Sequence, residues 1–313
     1  MPIPGPGEVL VRVRAVSLNF RDIAYATGRY FPNAPSGLIP VSDAAGEIVT
    51  PGGGFAVGDR VINAFNPRWV GGRYPADGTF SHEYGTAQDG WLSEYRAVPA
   101  DALLPAPEGW SFEQSATLPC AATTAWTALQ GPWPIAPGQT VLVQGSGTVS
   151  LFALQFAVLA GATVIATTTR QERITPLRAL GAAEVIDTRT VPEWGPVVHA
   201  MAHGGVDRIV EVGGSSTFAQ TLRAGSKRAE IAVIGFLGEE AWNVDFPAFF
   251  AGGYELIRRI RVGSRADCAA MLSFIGEHPL APVIDSVHDF DDASDGFKRL
   301  ADRDAFGKII VRI

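Results

Sequence analysis

A chain of 313 residues with 47% hydrophobic content is long enough for two domains or one large one and can bury a substantial core, which excludes a disordered or fibrous protein. Its 25 basic residues against 32 acidic ones give a net charge of −7 with no basic block, so nothing forms a footprint for nucleic acid. The opening MPIPGPGEVLVRV lacks the basic segment and apolar run of a signal peptide, and the longest apolar region, 151–160, is too short to span a bilayer; a cytoplasmic protein without membrane attachment is expected.

In chain order, Val9, Val11 and Val13 alternate with Leu10, Arg12 and Arg14, the period of a strand with one buried face. Further strands are predicted over 46–49, 59–62 and 92–98, separated by Gly- and Pro-rich loops. From about residue 138 the texture changes. Short apolar strands at 140–144, 163–167, 183–186, 208–212 and 231–236 alternate with helical segments, among them 149–160, 173–180 and 217–222. That alternation predicts a parallel sheet covered by helices on both faces. A strand at 259–262, helices at 267–277 and 291–302 and a closing strand at 308–313 follow. Phe246, Phe249 and Phe250 fit one buried helical stripe, with an apolar acceptor pocket as the alternative.

Cys120 and Cys268 are the only cysteines, too few for a four-sulfur zinc site or a disulfide framework within one chain, and two reduced thiols are expected. The strongest local signal is VLVQGSGTVS at 141–150, a strand running through Gly145 and Gly147 into a helix. The first glycine permits the tight turn, and the second lets backbone approach a pyrophosphate facing the helix N-terminus. Ser150 takes the place of the usual third glycine. At the end of the next strand stand Thr167, Thr168, Thr169 and Arg170 rather than the carboxylate that holds an unphosphorylated ribose. Hydroxyls and a guanidinium suit a 2′-phosphate, so NADPH is the expected cofactor.

These residues, with S-L-N-F-R-D at 17–22, the turn at 28–30, the stretch 40–46, L-P-C-A-A-T-T-A-W at 118–126, V-G-S-R at 262–265, P-V-I-D at 282–285 and F-G-K-I-I-V at 306–311, carry a resemblance. The chain resembles the medium-chain dehydrogenase/reductase superfamily, in its zinc-independent quinone-oxidoreductase-like branch. The resemblance implies an α/β fold: a GroES-like β-rich substrate domain over 1–118, a Rossmann doubly wound parallel-sheet dinucleotide domain over 119–258, and a return to the substrate domain over 259–313. It also implies a shared cleft and a homodimer through the cofactor-domain sheet edge.

By the same resemblance, zinc-dependent relatives place ligands where this chain has Asn19, Ser42 and Cys120, and only the cysteine is a strong ligand. No metal is therefore expected, and His82 is read as a surface or loop residue. Arg21 stands where a Ser or Thr proton relay is usual. Asn19 is the first candidate for holding a substrate carbonyl, with a capping role as the alternative; Tyr30 is a candidate hydrogen-bond donor or a packed ring; Arg21 and Asp43 are a candidate ion pair. Asp22 is expected to belong to the loop's hydrogen-bond scaffold. Cofactor contacts are expected from Thr124, Gly145, Gly147, Thr148, Val149, Thr168, Thr169, Arg170, Gly213, Gly235, Phe236, Gly263, Ser264 and Arg265, the last as a possible phosphate clamp. The expected activity is NADPH-dependent, metal-independent hydride transfer to a small hydrophobic electrophile, a quinone or α,β-unsaturated carbonyl. Reduction of an enoyl thioester, zinc-dependent alcohol dehydrogenation and non-catalytic NADPH binding remain the alternatives.

Overall fold

The structure is a computed structural model describing residues 1–28, 35–75, 82–235, 244, 246–252 and 254–313. Its strands are β1 (Glu8–Leu18), β2 (Asp43–Thr50), β3 (Arg60–Asn63), β4 (Tyr95–Pro99), β5 (Leu103–Pro105), β6 (Thr140–Gln144), β7 (Thr163–Thr168), β8 (Glu184–Asp187), β9 (Val206–Glu211), β10 (Gly225–Val233), β11 (Leu256–Arg259), β12 (Ile284–Asp289) and β13 (Lys308–Arg312). The helices are α1 (Phe20–Ala26), α2 (Phe112–Ser115), α3 (Thr123–Gln130), α4 (Thr148–Leu159), α5 (Ile174–Ala179), α6 (Trp194–Met201), α7 (Phe218–Ala224), α8 (Phe246–Gly252), α9 (Arg265–Glu277) and α10 (Ala293–Ala301). Two compact units result, residues 1–123 with 262–313, and residues 124–261.

The first unit is β-rich, with strand order β12-β13-β1-β2-β3-β5 and β4 paired to β1. β1 is its spine, antiparallel to β13, β2 and β4. Val9, Val11 and Val13 enter the core beside Ile48, Trp91, Val98 and Val311. Full burial of each such side chain stabilises by roughly 1.5–3 kcal/mol. Of the three intervening residues only Arg12 is exposed; Leu10 is 2% exposed, so β1 is covered on both faces at that point. The strand expected over 92–98 begins at Tyr95, since the amides of Trp91 and Leu92 are used upstream by the carbonyls of Pro40 and Val41.

The second unit is a six-stranded parallel sheet, order β11-β10-β9-β6-β7-β8, with helices between its strands, as the alternation in the sequence predicts. The chain lays down β6, β7 and β8 in one direction and β9, β10 and β11 in the other. The strand order therefore reverses between β6 and β9, and a crevice for ligand opens beyond the carboxyl ends of strands at such a point. β11 lies at 256–259 rather than 259–262, in register with Glu230–Val233 of β10. Phe249 packs against the core and Tyr254, whereas Phe250 is 70% exposed. The buried stripe expected to include both is corrected: the helix turns Phe250 outward.

At the other end of this sheet a cluster of buried charge fixes α3. Arg208 donates to the carbonyls of Ala128 and Leu129 at 2.8 and 2.7 Å, and Arg258 to those of Thr127 and Ala128. Two guanidiniums thus satisfy the last carbonyls of the helix and complement its dipole. Glu230, 2% exposed, lies 3.0 Å from Arg208 and also pairs with Arg258, supplying a shared counter-charge to both guanidiniums. Among the described residues no helix is long and apolar enough to cross a membrane.

Replacing Glu230 by Ala leaves two guanidiniums without a counter-charge, and the expected loss is about 3–5 kcal/mol, read as a lower urea midpoint. An unchanged midpoint would show that the carbonyls alone suffice to hold Arg208.

Candidate active site

In the first unit the candidate residues converge at the end of β1. The backbone N–H of Asn19 donates to Asp22 Oδ2 at 2.7 Å, so the carboxylate three residues on closes the start of α1 and the Asn19 side chain makes no capping bond. The amide turns instead to Lys308, whose Nζ donates to Asn19 Oδ1 at 2.7 Å and to the Leu18 carbonyl at 3.0 Å. Lys308 is 1% exposed and stands 3.7 Å from Asp43 Oδ2. Asp43, fully buried, accepts from Ser42 Oγ at 2.7 Å and from the backbone N–H of Cys120 at 3.2 Å. A π-helical turn over Leu118–Ala122 brings that N–H into place.

The expected pairing of Arg21 with Asp43 is corrected. Arg21 donates to Glu83 Oε2 at 2.5 Å and stacks over the rings of Phe65 and Tyr25. Asp43 takes Lys308 as its cation because β13 runs alongside β1 and delivers the ammonium. Tyr30 lies outside the described residues. His82 sits beside Arg68 on the exposed surface.

Burial pushes the Asp22 carboxyl up to about 7, against the opposing pull of the Arg21 charge and the Asn19 N–H. Burial and, next, the Asp43 carboxylate push the Cys120 thiol up as well.

In the second unit, Gly145 turns the chain with φ +71° and Gly147 caps α4. A side chain placed on either would meet nothing within 4 Å, so backbone faces open space ahead of Thr148 and Val149 at the helix start. The Gly145 N–H reaches Thr167 Oγ1 at 3.3 Å. Ser150, in the third glycine's place, donates to the Gln144 carbonyl at 2.6 Å and ties the helix to β6.

Glu211 organises the same edge and was not legible from the motif. Its Oε1 accepts from the N–H groups of Gly213 and Gly214 at 2.8 and 2.9 Å and from Thr217 Oγ1 at 2.6 Å. Its Oε2 accepts from Gln144 Nε2 at 2.8 Å and from Thr221 Oγ1. The carboxylate thereby bridges β9 to β6 across the reversal of strand order. A Cβ on Gly235 would lie 1.8 Å from the Val212 carbonyl oxygen, so the backbones of these two loops touch only because that residue is glycine. Phe236 lies outside the described residues.

At the ribose corner Arg170 donates its backbone N–H to Thr168 Oγ1 at 3.1 Å, and Thr169 is exposed. Glu172 stands 3.8 Å from the Arg170 guanidinium, a carboxylate two residues beyond the stretch where none was expected. Thr124 is buried near the start of α3. Gly263 is buried, and Ser264 caps α9 by accepting from the Asp267 N–H at 3.1 Å. Arg265 donates to the Leu103 carbonyl at 3.1 Å, an anchor within its own unit.

Residues 5–108 match the alcohol dehydrogenase GroES-like domain, and residues 148–277 match the zinc-binding dehydrogenase family. A zinc-type alcohol dehydrogenase-like protein of Schizosaccharomyces pombe is 36% identical over 317 residues, covering 98% of this chain and 91% of that protein. An acryloyl-coenzyme A reductase of Sulfurisphaera tokodaii is 26% identical, covering 99% of this chain and 94% of its own. The crystal structure of an NAD-dependent alcohol dehydrogenase superposes with a TM-score of 0.89 at 29% identity, over 100% of this chain and 94% of that one. Other relatives are named quinone oxidoreductase and prostaglandin reductase. Fold and site together define a two-domain dehydrogenase or reductase. The chain belongs to the medium-chain dehydrogenase/reductase superfamily and is related to its quinone- and acryloyl-coenzyme A-reductase branches.

The zinc in the name of the matched family is not suited by the residues at this site. Around Asn19 stand an amide, a hydroxyl, one thiol raised by burial, and an ammonium already paired with the carboxylate. Catalytic zinc takes three strong protein ligands, and among the described residues no group of three or more His, Cys, Asp or Glu could hold a metal.

Two outcomes are expected. The Asp22 carboxyl is raised above its ordinary 3.8, so the stability it contributes is complete below about pH 4 and is lost as pH rises towards 7. Asp22→Asn keeps an acceptor for Asn19 and removes the ionisation, so wild type should lose stability relative to the variant across that window; parallel melting-temperature curves would refute the raised carboxyl. Replacing Glu211 by Gln sets an N–H against donors already in place and should cost about 2–4 kcal/mol of stability in urea unfolding. A loss below 0.5 kcal/mol, on the order of a surface change, would remove Glu211 from its bridging role.

Proposed function

We propose that this protein is an NADPH-dependent reductase of small hydrophobic electrophiles, quinones or α,β-unsaturated carbonyls, working without a metal. The observation that carries the reading is the open glycine turn at the strand-order reversal: a Cβ on Gly145 or Gly147 would meet nothing within 4 Å, so space is left beside the start of α4. Bound across that turn, NADPH would supply a hydride.

Gly145, Gly147, Thr148 and Val149 would take the pyrophosphate, and Thr168, Thr169 and Arg170 the 2′-phosphate. Thr124, Gly213, Gly235 and Phe236 would border the nicotinamide, with Gly263, Ser264 and Arg265 as further cofactor contacts. A 2′-phosphate would compete with Glu172 for Arg170, a competition it wins on charge because the pair is exposed and screened. In the substrate domain, 1–118 with 259–313, Asn19 is the group that would hold the substrate carbonyl, with Tyr30 as a second donor and Arg21 and Asp43 ordering the surrounding loop. An acceptor already electrophilic needs only donors for its developing oxyanion, and the side chains around Asn19 offer donors in place of metal ligands. Acryloyl-coenzyme A reductases among the relatives support an enoyl thioester as the second reading. β11, the outer strand of the parallel sheet, is the edge through which a homodimer would form, in the cytoplasm.

NADPH oxidation against a panel of quinones, enones and enoyl thioesters, before and after chelation, tests the reading. Chelation should leave the rate unchanged, and bound stoichiometric zinc whose removal abolishes activity would overturn it. Arg170→Ala should raise the KM for NADPH by about 10- to 100-fold, the worth of a charge-assisted hydrogen bond, and leave that for NADH unchanged. Equal effects on both would move the phosphate contact elsewhere.

A further inference from the structure

Lys308 is the one buried lysine in the described core and has no part in the function set out above. An ammonium carries three donors and no acceptor; here it donates to the Leu18 carbonyl at 3.0 Å and to Asn19 Oδ1 at 2.7 Å, and it stands in an ion-pair contact 3.7 Å from the Asp43 carboxylate. The amide atom facing the ammonium must therefore be the oxygen, which settles the orientation of the Asn19 side chain. Its Nδ2 is then turned the other way, with contacts of 3.3 Å to the Ser17 carbonyl and 3.5 Å to Ser42 Oγ, at the weak end of hydrogen bonding. One edge of the amide is firmly held and the other is loosely engaged.

We propose that Lys308 is a positioning residue, which locks Asn19 so that its N–H edge is presented to the carbonyl oxygen of the electrophilic substrate. This rests on the reading of Asn19 as the carbonyl-binding group. The ammonium polarises the Asn19 amide, drawing electron density toward Oδ1 and making Nδ2 a stronger donor. Asp43 keeps that charge affordable in a dry environment, and its own second oxygen is occupied by Ser42, so neither group is free to swing away. The geometry needs no proton transfer from Lys308.

The test uses Lys308→Met, and Lys308→Met/Asp43→Asn to remove the unpaired carboxylate should the single variant fold poorly, each compared with Asn19→Ala and with the triple combination. Melting temperature establishes folding, and fluorescence titration gives the NADPH dissociation constant. The probe is 2-cyclohexenone labelled with carbon-13 at its carbonyl. With wild type its bound carbonyl stretch should shift to lower frequency, and kcat/KM should fall by about 10- to 100-fold in the lysine variants, somewhat less than the outright loss of an oriented donor, with NADPH binding unchanged. The shift should vanish in those variants, and in the Asn19→Ala background their further loss should be under about two-fold, because the lysine acts through the amide. Multiplying losses, or a retained shift without the lysine, would overturn the positioning role while leaving Asn19 in place. Normal turnover and a normal carbonyl shift in Asn19→Ala would instead overturn the carbonyl-binding reading, and this proposal with it.

Discussion

A carboxylate buried at the reversal of strand order must be met by donors on every side, and Glu211 is met by five. Left unsatisfied, such a charge would cost several kcal/mol. Satisfying it forces the loop after β9 to wrap back over its own strand and forces Gln144, the last residue of β6, to turn toward β9. The glycine turn begins one residue later. The shape of the proposed cofactor edge is therefore set from beneath by a charge that is fully buried.

The first unit uses the same principle with the sign reversed. Lys308 is as deeply buried as Glu211; it donates to a carbonyl and an amide oxygen and has a carboxylate 3.7 Å away to balance its charge. Arg21 satisfies a different carboxylate, Glu83, so the two cations of this region do not compete for one anion. Asp22 is the exception. It keeps one oxygen on the Asn19 N–H while its other oxygen is buried without a hydrogen-bond partner, and burial accordingly raises it toward neutrality. A network of fixed charges thus contains one group poised to change its protonation near pH 7.

The alternation of strands and helices beyond residue 138 was readable because parallel strands buried on both faces appear as short apolar runs, and β6, β7 and α4 fall within a residue of their expected ends. The glycine turn was readable because its φ of +71° selects for glycine. Partners in ion pairs were not. Arg21 and Asp43 lie within one short stretch of sequence, which made them natural mates, yet the choice depends on which distant strand comes alongside. Lys308 lies 265 positions beyond Asp43 in a chain of 313 residues, and no local pattern carries that pairing. Glu211 was hidden for a related reason, since it ends an apolar run where an acidic residue resembles an ordinary exposed strand terminus. Four of its five donors lie within residues 213–221, and the fifth, Gln144, comes from the distant β6.

Burying a lysine rather than grasping a metal changes what a site of this kind can do. A divalent ion polarises a carbonyl or alkoxide directly and lowers the proton affinity of whatever it binds. In the proposed arrangement an ammonium acting through an amide would deliver a weaker field than a divalent ion, one suited to an acceptor whose negative charge spreads over a conjugated system. Such a site would favour acceptors that are electrophilic before they arrive. Strengthening the site by bringing the ammonium into direct contact would require releasing it from Leu18, Asn19 and Asp43, and each of those bonds is what permits the charge to be buried at all.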